Sequence, residues 1–256
     1  MQQLVLMSRS GIPIARWEDW PRREKQWKPG RSAMEIARAW FVSGSPQCPP
    51  ELALLLGTQP ALTDIVFDAG RAEHITALPH GRGGTNHDLA LNGHTPDHQA
   101  VVCIEAKADE PFGEKIGHYW RRMTESKETT LAPKRIEALL KTVFGDGASL
   151  SDSRYCDLRY QLLTGVVGTL RQAEKDRAPL AVFVVHEFHT GSVRPRALAT
   201  NSADYARFIE ALFSVPAGDV VEGVLYGPQV ALTGINATQV VLFIGKVAYE
   251  GSRSCG

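Results

Sequence analysis

Apolar residues recur along this 256-residue chain with two periods, one helical and one strand-like, and the switches between them divide it into elements. Met34, Ala37, Trp40 and Phe41 form a helical stripe. Ser32, with Glu35 three residues later, has capping-box spacing, so a helix is predicted over 32–41. A proline-rich break at 46–50 precedes a short apolar helix at 51–56, and 71–79 has weak strand character. The glycine-rich turn at 81–84 leads into a strand at 87–91, a polar loop at 92–98 and a stronger strand at 100–107, which is a hairpin pattern. Val101, Val102, Cys103 and Ile104 make a continuous apolar run of the kind found in strands covered on both faces. The pattern is helical from 111 to 145, best defined between Pro133 and Gly145. A helix at 156–175 follows, with a wide apolar face of Leu158, Leu162, Leu163, Val166, Val167 and Leu170. A buried strand at 180–188, a helix at 203–213 and strands at 223–226 and 239–249 complete the chain. This order predicts one α/β domain over 1–256, a three-layer α/β/α sandwich with a mixed central sheet.

Composition narrows the setting. Lysine plus arginine equals aspartate plus glutamate at 28 each, so bulk charge argues for neither a nucleic-acid nor a membrane partner, and any basic patch is local. Cys48, Cys103, Cys156 and Cys255 are scattered, which fits neither a disulfide framework nor a paired-cysteine zinc site. Reduced thiols and a cytoplasmic location are expected. No apolar run is long enough to span a bilayer, so no membrane partner is expected.

The chemistry concentrates on the hairpin. Side chains alternate along a strand, so Glu105 and Lys107 share one face while Ile104 and Ala106 share the other. Pairing Leu91 with Ala100 sets Asp88 opposite Cys103, on the face of Glu105 and Lys107. Two carboxylates and a lysine on a central sheet are costly to bury without a compensating partner, and a divalent cation is the natural one. Oxygen ligands suit Mg²⁺ or Mn²⁺, with Asp88 and Glu105 as the metal-binding pair. Such an ion polarises a phosphate and activates water, with the ammonium of Lys107 screening the developing charge.

Asn86, His87 and Asp88, then sixteen residues, then Glu105, Ala106 and Lys107 resemble the split acidic-x-lysine signature of the PD-(D/E)XK, or restriction endonuclease-like, nucleases. The proline that names the motif is absent, since His87 precedes Asp88. The resemblance covers about residues 32–188 and implies a core of order αβββαβ, with a helical insertion at 111–150 and a C-terminal extension at 189–256. It also implies metal binding by Asp88 and Glu105, assistance to the attacking water by Lys107, and supporting roles for Glu35 on the first core helix and Gln161 on the helix after the third strand. The activity implied is metal-dependent phosphodiester hydrolysis, of DNA rather than RNA, and cutting both strands of a duplex would suit a homodimer. The alternative is a catalytically inactive module of the same fold that binds nucleic acid or a protein, which the neutral charge and the imperfect motif favour.

Other residues carry weaker signals. His87 is expected to point away from Asp88's face. His94 with His98, and His186 with His189, lack cysteine partners that would seat zinc. Tryptophans and basic residues mix from Arg9 to Arg31, as in single-strand binders or in an arm packed on the domain, and 115–141 is the preferred substrate-contact surface.

Overall fold

The computed structural model describes residues 4–21, 27–126, 130–190, 195–233 and 238–250. In chain order the elements are β1 (Val5–Met7), α1 (Ser32–Ala39), α2 (Pro50–Gly57), β2 (Val66–Ala77), β3 (Gly84–His94), β4 (Gln99–Lys107), α3 (Ile116–Thr124), α4 (Ala132–Phe144), α5 (Ser153–Cys156), α6 (Tyr160–Asp176), β5 (Leu180–His189), α7 (Pro195–Phe213), β6 (Leu225–Thr233) and β7 (Thr238–Glu250). Among the described residues the strands form one seven-stranded mixed sheet in the order β1-β2-β3-β4-β5-β7-β6. An antiparallel meander, β2 to β4, passes into a parallel centre of β4, β5 and β7. β1 then adds parallel to β2, and β6 antiparallel to β7.

The two apolar runs lie at the centre of this sheet because they can be buried on both sides. Val101, Cys103, Phe183 and Val185 pack toward Ile136 and Leu139 of α4 and Leu162, Val166 and Leu170 of α6. Ala100, Val102, Ile104, Val182 and Val184 pack toward Ile36 and Trp40 in and beside α1 and Leu52 and Leu55 of α2. Helices therefore cover both faces of the sheet, and the chain is a mixed α/β protein. Among the described residues no helix is long and apolar enough to cross a membrane.

Several expectations are corrected. Leu91 pairs with Val102, not Ala100, because β3 runs on to His94 and the turn tightens, with Thr95 N–H donating to the His98 carbonyl at 2.8 Å. This two-residue shift is even, so each hydrophobic set keeps its face. The capping box does not form: Arg31 is the N-cap, and Ser32 already lies inside the first turn. Ser32 Oγ instead donates to Glu110 Oε1 at 3.2 Å, while Glu35 Oε1 accepts the Gly30 N–H at 2.8 Å. The C-terminal extension, whose place in the sheet the sequence left open, contributes two strands to it, with β7 pairing directly with β5. Cys48, Cys103 and Cys156 are free thiols, and Cys255 lies outside the described residues.

Candidate active site

Where the apolar run of β4 ends, its α6-side face turns polar. Glu105 and Lys107 are both buried, and Lys107 Nζ donates to Glu105 Oε1 at 2.7 Å. Gln161, in the first turn of α6, completes a triangle: its Nε2 donates to Glu105 Oε1 at 2.6 Å and its Oε1 accepts from Lys107 Nζ at 3.1 Å. Those two partners fix which way the amide points. Phe112 lies against Lys107, with the ammonium 5.4 Å from its ring centroid.

Asp88 lies two residues from Ala90 on β3 and so shares the α6-side face with Glu105, at the point where the alternation of β2 and β3 breaks. Arg71 and Ala90 border a groove with Gln172 and Lys175 of α6, yet His74, three residues past Arg71, also bonds Gln172. On β3, Asn92 bonds Asp176 of α6, while His87 and Thr85 lie under Gly168 of the same helix. The alternation of both strands thus breaks, with no change of register, between pairs Ala72–Leu89 and His74–His87, where Glu73 falls opposite Asp88 and adopts a left-handed φ of 52°. The β3–β4 ladder stops at Leu89–Ile104, and the Asp88 carboxylate enters the gap, accepting the Ala106 N–H on Oδ2 at 2.7 Å. Asp88 therefore sits on the face of Glu105, as alternation from Ala90 sets it, and the parting of the strands lets its carboxylate reach the Ala106 N–H.

The electrostatics follow from this crowding. Burial and the neighbouring charges of Glu105 and Glu73 push the Asp88 carboxyl well above its ordinary range, against the opposing pull of Lys107 and the Ala106 N–H. Burial alone would lower the Lys107 ammonium, but Glu105 and Asp88 outweigh it and hold it above its ordinary value. Glu35 does not join the triangle: it sits on α1, across the sheet, bonded to Gly30 and 3.5 Å from Arg38. His87 is also relocated, buried beneath α6 against Phe183, because the break in alternation after Asp88 turns it to that side. Burial drives its imidazole down to about 3, so it is neutral.

Residues 13–250 match a family described as a domain of unknown function, DUF6946. The chain belongs to that family. Comparison with the curated proteins and with the solved structures found no match.

Two carboxylates of this site each keep one oxygen that could serve a cation. Asp88 commits Oδ2, and Glu105 commits Oε1, to the bonds described, which leaves Oδ1 and Oε2 outside them. Among the described residues no group of three or more histidine, cysteine, aspartate or glutamate side chains is arranged to hold a metal. Two carboxylates suit an ion that keeps several waters and takes further oxygens from a phosphate, as Mg²⁺ does.

A second polar group adjoins the first, and the sequence reading passed over it. Glu187 of β5 is in register with Lys107. It is fully buried and paired with Lys246 of β7 at 2.9 Å, and Lys246 also meets Glu222 and Ser202, each at 2.6 Å. His189 bridges Glu187 and Glu250, and its imidazolium is raised because these two carboxylates outweigh the effect of burial. The signal was available, since a charged pair closing an apolar run is the pattern that picked out Glu105 and Lys107. Glu73 and Glu110 left no such trace, because a left-handed backbone position and a loop placed them. His186 bonds Glu51 and His94 bonds Asp68, so these histidines are tied to carboxylates.

Proposed function

We propose that the chain is a metal-dependent nuclease of the PD-(D/E)XK type, hydrolysing phosphodiester bonds in DNA. The observation that carries this reading is the hydrogen-bonded triangle of Glu105, Lys107 and Gln161 with Asp88 in the gap beside it. The element order supports it, since α1, β2, β3, β4, α6 and β5 run helix, three strands, helix, strand once α2 and the helices α3 to α5 are taken as insertions. Asp88 and Glu105 would hold Mg²⁺ or Mn²⁺, which supplies a Lewis acid and an acidified water. Lys107 offers a fixed positive charge where negative charge develops on the phosphate, and Gln161 holds Lys107 and Glu105 in place. Glu35 has no part in this arrangement.

The test is cleavage of DNA by purified protein with Mg²⁺ or Mn²⁺. Glu105→Ala and Lys107→Ala should each lower the rate by about 10²–10⁴-fold, the range for a lost acid–base or electrostatic group. Unchanged activity in both variants would remove the assignment. Calorimetry with Mn²⁺ separates an inactive module of this fold, for which binding heat would not depend on Asp88 and Glu105.

A further inference from the structure

The turn that joins β2 to β3 projects past the end of β4 at which Glu105 and Lys107 lie. β3 pairs with β4 only as far as Leu89–Ile104, whereas its pairing with β2 continues to Ala77–Gly84. This extension folds against the face of the sheet that carries the candidate site. Thr85 Oγ1 donates to Thr164 Oγ1 at 3.4 Å, one turn of α6 past Gln161, and Arg171 of α6 donates to the Ala77 carbonyl at 3.0 Å. Gly84, where the turn enters β3, is four residues from Asp88, at most about 14 Å along the strand.

One guanidinium sets the shape of this turn. Arg135 of α4 donates from Nε to the carbonyls of Pro79 at 3.0 Å and His80 at 2.9 Å, and from Nη2 to that of Arg82 at 3.2 Å. In a trans peptide, as these are, the N–H points opposite to the C=O. The N–H groups that follow the three carbonyls, those of His80, Gly81 and Gly83, therefore point away from Arg135. All three belong to exposed residues and have no acceptor among the described residues. The conformation calls for glycine: Gly81 and Gly83 have φ of 106° and 96°, and a Cβ on Gly81 would lie 2.9 Å from Arg135 Nη2. Arg82, between them, is exposed, and Arg82, Arg135 and Arg171 form no ion pair among the described residues. Outward N–H donors, two of them consecutive, beside cations with no counter-charge make a surface suited to an anion.

We propose that the turn at 79–84 is a phosphate-binding site, which holds a backbone phosphate of nucleic acid beside the candidate active site. The inference rests on the nuclease reading in taking nucleic acid as the source of the phosphate. The N–H groups of His80, Gly81 and Gly83 donate to the phosphate oxygens, and the Arg82 guanidinium supplies a charged partner. Arg135 is a positioning residue: it lies on the other side of the turn, fixes the direction of the donors and adds positive charge behind them. Contacts of this kind go to the backbone alone, so they set the register of a strand on Glu105 and Lys107 without reading its sequence.

The experiment follows the glycine amides of ¹⁵N-glycine-labelled protein by NMR as a DNA duplex or inorganic phosphate is added, in EDTA so that nothing is cut. The Gly81 and Gly83 signals, identified by their loss in Gly81→Ala and Gly83→Ala, should shift with DNA. Arg82→Gln, an exposed change that leaves the fold intact, should weaken DNA binding in anisotropy by about tenfold, the order of one lost hydrogen bond to a charged group. It should also lower the slope of affinity against salt by about one ion. Unmoved Gly81 and Gly83 amides overturn the site whatever the variant does, and amides that answer to inorganic phosphate but not to DNA overturn nucleic acid as its source. These outcomes are independent of the cleavage assay: cutting with unmoved amides removes the phosphate site alone, and shifts with DNA in a protein that cuts nothing remove the nuclease reading alone.

Discussion

The charge on Asp88 is opposed by its own burial, by Glu105 and by Glu73 on the neighbouring strand. A carboxyl whose folded pKa is raised binds its proton more tightly in the folded state. Its contribution to stability is complete below the ordinary carboxyl range and is lost as pH rises through the folded pKa. Metal-free protein should therefore lose stability between acidic and neutral pH on account of this residue. Asp88→Asn keeps an acceptor for the Ala106 N–H and removes the charge. Scanning calorimetry at neutral pH should show a Tm higher by roughly 2–4 °C, about 1 kcal/mol for a chain of this size, and little difference at pH 4. Added Mn²⁺ should reverse the order, stabilising wild type and leaving the variant unmoved. A variant less stable than wild type at neutral pH without metal would show that the crowding is relieved some other way.

Among the elements, α6 does most to shape the site, and it does so by close approach. A Cβ on Gly168 would lie 2.2 Å from Thr85 Cγ2 and 2.7 Å from His87 Nε2, so the helix can sit over these residues of β3 only with glycine there. Gly168→Ala gains helix propensity of up to about 1 kcal/mol, but overpacking costs about 1–3 kcal/mol, so a net loss is expected in urea unfolding. Cleavage should fall with it, because α6 carries Gln161. The main strands and α6 were legible in the sequence, since β4, β5 and α6 are apolar enough to declare both their type and their burial. Less was legible wherever tertiary contacts decide. β1 has three residues, too few to show a period. Ser32 and Glu35 have the spacing of a cap, yet Glu110 and Gly30 provide the partners. Glu105 and Lys107 follow from alternation alone. The face of Asp88 follows from alternation as well, whereas the break that turns His87 toward α6, with Glu73 in the left-handed region, is marked by no glycine or proline.

At the scale of the molecule, the parallel strands β4, β5 and β7 end together in a band of charge. Glu105 and Lys107 are followed across the sheet by Glu187 and Lys246, and the latter two are almost without solvent contact at 1% side-chain exposure each. A buried pair of this kind contributes little net stability, but breaking it leaves an uncompensated charge. Lys246→Met should cost about 3–5 kcal/mol in urea unfolding, and the double variant Glu187→Leu with Lys246→Met should recover most of that loss. If the double variant is no better than the single, Glu187 is stabilised by its other neighbours, His189 among them.

The borders of the sheet bear on how copies of the chain could meet. One border is β1, with three residues; the other is β6, where the pairing slips between Tyr226 and Gln229 and Pro228 offers no N–H. Neither provides a long, even row of free donors and acceptors, so strand-to-strand continuation from one molecule into the next is disfavoured. A two-fold arrangement that set two catalytic centres on opposite strands of a duplex would have to be built from helical surfaces, leaving each sheet closed within its own molecule.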